Sequence, residues 1–238
     1  MGLDELTPFD PQQKIIEYNI AKDDPAAARK LVLKDLRAFA NETASESVAP
    51  GGGSVSAYAG AMGVALATMV ANLSSHKRGW DERWEEFSEA ADRGQRLKDA
   101  LLRAVDEDTE AFNAIMAAFA LPKGTPEEKK ARLAAIEEAT VVATEVPLRV
   151  VRLGLDCFPL IRQMVDTGNP NSITDAGVGA LCVRAAVLGA ALNVKVNAKD
   201  LNDKVYADKV VAEANAAMVE ATRLETEVLA VVREKMGV

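Results

Sequence analysis

The 238-residue chain predicts an all-α fold, a single bundle of about six to eight helices. Apolar residues recur at three- and four-residue spacing almost everywhere, and no alternating run marks a strand. Hydrophobic residues make up 49% of the chain but aromatics only 5%. Alanine dominates, so the core is built from closely approaching backbones, which favours helices. No repeat, low-complexity tract or long linker divides the chain. One domain over residues 1–238 is therefore expected, with 1–24 an N-terminal extension and 25–238 the bundle.

In chain order, a short helix is expected over 11–22, starting at Pro11. Asp24 can cap a second helix with Pro25 at its first position and Val32, Leu36 and Phe39 as its stripe. Residues 47–75 carry no charge, although 27% of the chain is charged. This run opens on Pro50-Gly51-Gly52-Gly53-Ser54 and continues as a small-residue helix from about Ser54 to Ser74. Three glycines permit positive φ and close approach to another molecule. The helix N-terminus behind them, with its free N–H groups and partial positive charge, is a seat for a carboxylate or other polar ligand. Twenty uncharged residues can span a bilayer. This segment has few Leu, Ile or Phe and no aromatic belt at both ends, so it reads as a buried helix of a soluble protein.

His76-Lys77-Arg78-Gly79 is a basic turn, and residues 81–119 follow as a long helical pattern with Gly94 as a kink point. Thr125-Pro126-Glu127-Glu128 has the form of a capping box with proline at the first helical position. That helix should kink or end at Pro147, and another over 148–167 is disturbed by Pro159. Residues 167–171 form a loop. Ser172 and Asp175 have the form of a second capping box, before a small-residue helix to about Ala198. A terminal helix runs from about Asp203 to Lys235.

The net charge of −8 argues against a nucleic-acid surface. The acidic N-terminus lacks a signal-peptide core, and a cytoplasmic setting is expected. Cys157 and Cys182 read as buried thiols of a reducing compartment. His76 is the single histidine, which disfavours a zinc site or a Ser-His-Asp triad. The glycine run is neither GxxxxGK[ST] nor GxGxxG after a strand.

Asp108 breaks an apolar stripe formed by Leu97, Leu101, Ala104, Phe112, Ile115 and Phe119. A carboxylate facing a core costs free energy unless it is paired or borders a polar cavity. It is either an inter-helix partner or an acid with a raised pKa. Asn193 and Asn197, four apart on one helix face, either present donors and acceptors to a heteroaromatic ring or bond neighbouring backbone.

Ala49-Pro50-Gly51-Gly52-Gly53-Ser54-Val55 with its helix to Leu73, Val105–Phe112, Leu121–Lys129, Gly168-Asn169, Thr174-Asp175 and Asn193–Asn197 occur in this order. Together they resemble the cyclodeaminase domain of the formiminotransferase-cyclodeaminase family, over about residues 29–236. Residues 8–18 resemble the stretch that joins transferase to cyclodeaminase, while the transferase itself is absent, which implies a stand-alone cyclodeaminase. The resemblance implies a homodimer with sites near the subunit interface and a reduced folate, with or without a polyglutamate tail, as substrate. It implies cyclisation of 5-formimidoyltetrahydrofolate to 5,10-methenyltetrahydrofolate with release of ammonia, within one-carbon metabolism and histidine degradation. No metal or redox cofactor is implied, and a separate formiminotransferase is an expected partner. On this reading Asp108 transfers the proton, with Asp175 as second choice. Gly51, Gly52, Gly53 and Ser54 hold polar groups of the pterin or glutamate, Asn169, Asn193 and Asn197 orient the pterin, and Lys77, Arg78 or Lys195 meets the glutamate tail. A methenyltetrahydrofolate cyclohydrolase on the same fold and a non-catalytic helical scaffold are the competing expectations.

Overall fold

The structure, a computed structural model, describes residues 30–237. The helix expected over 11–22 and the Asp24–Pro25 start lie outside them. The described residues carry six α-helices and three 3-10 turns and contain no strand, as the sequence predicts. They fall into two compact units, one ending at Glu46 and one from Ser47 onward.

The first unit contains a 3-10 turn, Leu31–Leu33, and helix α1, Leu36–Thr43. The expected single stripe through Val32, Leu36 and Phe39 is interrupted, because Lys34 is extended and Asp35 caps a new helix by accepting from Ala38 N–H.

The second unit holds α2 (Gly52–Ser75), α3 (Trp84–Phe119), α4 (Pro126–Thr167), α5 (Ile173–Ala198) and α6 (Lys204–Met236). Helix α2 packs against α3 and α5, α4 against α3 and α5, and α6 lies on α5 and α4. Glycine makes the central contacts close. A Cβ at Gly63 would lie 2.7 Å from the Gly179 carbonyl oxygen, and one at Gly179 would lie 2.7 Å from that of Gly63. The two backbones therefore touch, as an alanine-rich core requires. At Gly94, α3 runs unbroken, and an added Cβ would overlap Thr68 of α2. Gly94 thus serves close helix approach, where a kink was expected.

Helix α4 is the main departure from expectation. It runs unbroken for 42 residues through both Pro147 and Pro159. Its N-terminus is the capping box: Thr125 accepts from Glu128 N–H, while Glu128 accepts from Thr125 N–H. The second expected box does not form, because the Ser172 side chain makes no cap hydrogen bond and Asp175 simply sits in the first turn of α5. A 3-10 turn, Pro170–Ser172, occupies the expected 167–171 loop region instead. Helix α6 starts as predicted, with Asp203 accepting from Tyr206 N–H.

Helix α2 and the 170–198 segment are long and apolar enough to cross a membrane, but 61% and 50% of their apolar windows are buried inside the bundle. The outward part of α2 carries Val55, Met62, Met69 and Leu73 at heptad-like spacing, and that of α5 carries Val178, Leu181, Leu192 and Val196. Leu66 packs at Gly179 across the seam of these helices, so the two stripes adjoin.

Candidate active site

Four helices converge at one end of the bundle: the N-terminus of α2, the middle of α3 and of α4, and the C-terminal part of α5. They enclose a cavity of about 140 Å³ lined by Gly51, Gly52, Gly53, Asp108, Asn193 and Asn197, with Thr109, Phe112, Ile115 and Ala143 among its walls.

Asp108 reaches the cavity from the predicted stripe of α3. That stripe is buried at Leu101 and Ala104, whereas Phe112 is 37% and Phe119 49% exposed, so Asp108 stands where the stripe itself passes from core to surface. Its Oδ2 accepts from Ser54 N–H at 2.8 Å. The chain's own carboxylate therefore meets the helix N-terminus, where the sequence led us to expect a ligand. The glycine run also acts differently from expectation. None of Gly51, Gly52 and Gly53 has positive φ. An added Cβ at Gly53 would lie 2.7 Å from Asp108 Oδ2 and closer still to Oδ1, so Gly53 is required by the close approach of that carboxyl. The N–H groups of Gly52 and Gly53, at the open start of the helix, have no partner among the described residues.

Burial pushes the Asp108 pKa up, against the lowering effect of the two Ser54 hydrogen bonds. Ser54 Oγ lies 2.9 Å from the Val105 carbonyl oxygen and 3.0 Å from Asp108 Oδ2. The hydroxyl has one proton and the carbonyl can only accept. The one hydroxyl proton is therefore shared between the carbonyl and the Asp108 carboxyl, both of which accept it.

The two asparagines combine the alternatives left open by the sequence. Asn193 Nδ2 donates to the Gly189 carbonyl at 2.9 Å, and Asn197 Nδ2 donates to the Ala143 carbonyl at 2.6 Å. Because each partner is an acceptor, the amide orientations are fixed. Each residue still lines the cavity and keeps Oδ1 as an acceptor.

The remaining predicted residues lie elsewhere in the subunit. Lys195 turns to α6, its Nζ 3.1 Å from Met218 Sδ. Lys77 stands over the Trp80 ring at 3.9 Å, and Arg78 is exposed in the same turn. The Asn169 backbone N–H donates to Ser74 Oγ at 2.8 Å, at the far end of α2, about 33 Å from Gly52 along the helix. Asp175 is about 27 Å from Asn193 along α5. One chain therefore brings together Gly51–Ser54, Asp108, Asn193 and Asn197, and leaves Lys77, Arg78, Asn169 and Asp175 at the opposite end. Sequence reasoning missed Thr109 and the Ala143 carbonyl. The signal for the second was Pro147, which was read only as a helix breaker. The cysteines are both unpaired; Cys157 is buried, its thiol pushed up to about 12, while Cys182 is partly exposed, contrary to expectation.

An all-helical bundle with a carboxyl of raised pKa, free helix N–H groups and fixed amides around a small cavity defines a candidate site for a polar ligand. Comparison with known proteins gives the family. Residues 35–216 match the model of formiminotransferase-cyclodeaminase. The chain is 38% identical over 202 residues to the methenyltetrahydrofolate cyclohydrolase of Methylorubrum extorquens, covering 85% of this chain and 97% of that one. It is 35% identical over 221 residues to the formimidoyltransferase-cyclodeaminase of Rattus norvegicus, covering 93% of this chain but only 40% of the rat protein. The crystal structure of the formiminotetrahydrofolate cyclodeaminase of Thermotoga maritima superposes with a TM-score of 0.70 at 25% identity, covering 85% of this chain and 96% of that one. The chain belongs to the formiminotransferase-cyclodeaminase family, enzymes of folate one-carbon metabolism.

Proposed function

We propose that the protein is a formimidoyltetrahydrofolate cyclodeaminase, closing 5-formimidoyltetrahydrofolate to 5,10-methenyltetrahydrofolate with release of ammonia. The observation that carries this reading is Asp108, set at the cavity between the α2 N-terminus and α3 with its pKa pushed up by burial. In the reaction N10 forms a bond to the formimino carbon, and the bond from that carbon to the departing nitrogen breaks. Starting from the protonated formimino group, C=NH2+, the departing nitrogen must gain one further proton to leave as ammonia and N10 must lose one. An acid protonated at the start supplies the first proton, and its conjugate base accepts the second. Holding N5, the formimino carbon and N10 together supplies much of the remaining acceleration. The Gly52 and Gly53 N–H groups and the Asn193 and Asn197 Oδ1 atoms offer donors on one wall and acceptors on the other. No metal or redox cofactor enters this scheme, because proton transfer and positioning account for every bond change. A formiminotransferase, fused in the rat relative, is the class of enzyme that would supply the substrate.

An engineered cavity of about 150 Å³ takes a benzene ring, so about 140 Å³ suits the reacting end of a folate and not the whole molecule. We propose that a second copy covers the apolar face of α2 and α5. Two adjacent helices of this length offer roughly 700 Å² per subunit, close to the ~800 Å² of a standard interface. The face is free of charge at its outward positions, which suits a self-complementary contact. A two-fold axis across the middle of these helices would set one subunit's far end beside the other's cavity. Asn169, Asp175, Lys77 and Arg78 of the partner would then approach the folate.

A methenyltetrahydrofolate cyclohydrolase is the second reading, favoured by the name of the Methylorubrum relative, which this chain covers almost entirely. That reaction activates water and calls for a base at the outset. Methenyltetrahydrofolate absorbance, followed from each folate with ammonia detection, separates them. Rising absorbance with equimolar ammonia from the formimidoyl substrate is expected. Decay of methenyltetrahydrofolate without any formimidoyl turnover would replace the first reading with the second.

A further inference from the structure

We propose that Pro147 is a positioning residue for the folate site, acting through the Ala143 carbonyl and Asn197. In an α-helix the carbonyl of residue i accepts from the N–H of residue i+4. Four residues after Ala143 stands Pro147, which has no N–H. The continuous helix α4 therefore exposes one backbone acceptor, and it does so at the cavity, since Ala143 is a lining residue. Asn197, from α5, fills the vacancy: its Nδ2 donates to Ala143 O at 2.6 Å.

This exchange has a consequence for the side chain. A carbonyl can only accept, so the amide nitrogen of Asn197 must face α4, and Oδ1 is turned away from it as the available acceptor. An ordinary residue at 147 would offer its N–H to the same carbonyl and loosen the one contact that sets this orientation. The other internal proline, Pro159, lies three turns further along α4 and is four residues after Leu155, which does not line the cavity. Only Pro147 frees a carbonyl at the site. A helix-breaking residue inside a 42-residue helix is thereby given a function: the lost helical bond is replaced by a bond that orients a ligand-facing amide.

The proposal rests on the folate reading of the cavity, and four variants keep the two separable. In Pro147→Ala the helix gains a hydrogen bond, so the melting temperature should hold or rise. KM for the folate that the enzyme turns over should rise about three- to tenfold with kcat little changed, the size of one mis-set hydrogen bond. Asn197→Ala should raise KM at least as much, and Pro147→Ala/Asn197→Ala should be no worse than Asn197→Ala alone. Pro159→Ala should leave KM unchanged. If Asn197→Ala raises KM while Pro147→Ala does not, Pro147 has no positioning role and the folate reading stands. If Asn197→Ala leaves KM unchanged, the placement of the folate beside Asn197 fails, and the proposal with it. Additive effects in the double variant would also overturn it, because Pro147 would then act by another route. A rise in KM accompanied by a fall in melting temperature in Pro147→Ala would mark a merely structural proline.

Discussion

Asp108 combines three features seen nowhere else among the described residues: a raised pKa from burial, a backbone N–H from a helix start, and a glycine whose missing side chain makes room for it. Its titration affects stability and rate in directions that can be worked out. The folded pKa lies above the ordinary value of 3.8, so ionising Asp108 costs more in the folded chain than in the unfolded one. Its contribution to stability is fully present below about 3.8 and is lost as pH rises through the folded value. Asp108→Asn removes that ionisation while leaving an oxygen to accept from Ser54 N–H. The variant should gain melting temperature relative to the parent as pH rises from about 4 to 8, while turnover falls about 10²- to 10⁴-fold. In the parent, kcat/KM should decline as pH rises through the same raised pKa, because the acid form is the working form. A rate that increases through that pKa would instead identify a base and favour water activation. Wild-type turnover by a folded Asp108→Asn would remove Asp108 from the chemistry.

At the level of helices, the close approach of α2 and α5 follows from single hydrogen atoms in place of side chains. Gly63→Ala would put a methyl group 2.7 Å from the Gly179 carbonyl oxygen and 2.7 Å from Val183 Cγ2. Backbone cannot swing aside as a side chain can, so the helices must separate, at about 1–3 kcal/mol. Chemical denaturation should show this loss, whereas Gly52→Ala, whose Cβ would meet only the Asn193 amide at ordinary contact distance, 3.5 Å to Nδ2 and 3.8 Å to Oδ1, should cost far less. Equal stabilities for the two variants would refute the backbone-contact account. The same helices indicate how much could be read in advance. The boundaries of α2, α5 and α6 were legible because they follow periodicity and local caps such as Asp203. The convergence of Gly53, Asp108 and Asn193 was half-legible: each stood out in its own segment, but their contact depends on packing between helices far apart in sequence. The continuity of α4 was not legible. Proline removes one hydrogen bond and crowds one turn, and propensity rules read that as an end. Packing of Val146, Leu148, Val150 and Val151 on the bundle side outweighs the local cost. The same reasoning explains Ser172 and Asp175, whose spacing matches a capping box but whose backbone enters the helix through a 3-10 turn.

Across the whole molecule, the two ends of the bundle carry different halves of the expected site. The cavity end holds Asp108, Asn193 and Asn197; the other end, about 33 Å away along α2, holds Asn169 and the Lys77–Arg78 turn. Charge on the uncharged face of α2 and α5 tests whether a second copy joins them. Met62 is 46% exposed near the middle of α2, so Met62→Lys should leave helical content intact. In the proposed dimer it would place two cations near the symmetry axis, in an apolar contact where their desolvation is uncompensated. Sedimentation should then find a dimeric parent and a largely monomeric variant, and a parent that is monomeric at micromolar concentration would defeat the arrangement. Shared sites have a further signature. If each site draws Asp108 from one chain and Asn169 from the other, Asp108→Asn and Asn169→Ala chains are each inactive or weak alone. Co-refolded together, they form hybrids in which one site carries both substitutions and the other carries neither. Random pairing makes half the dimers hybrids with one intact site each, so about a quarter of parental activity should return. If every site is built within a single chain, no intact site arises on mixing and activity stays at the mean of the two variants.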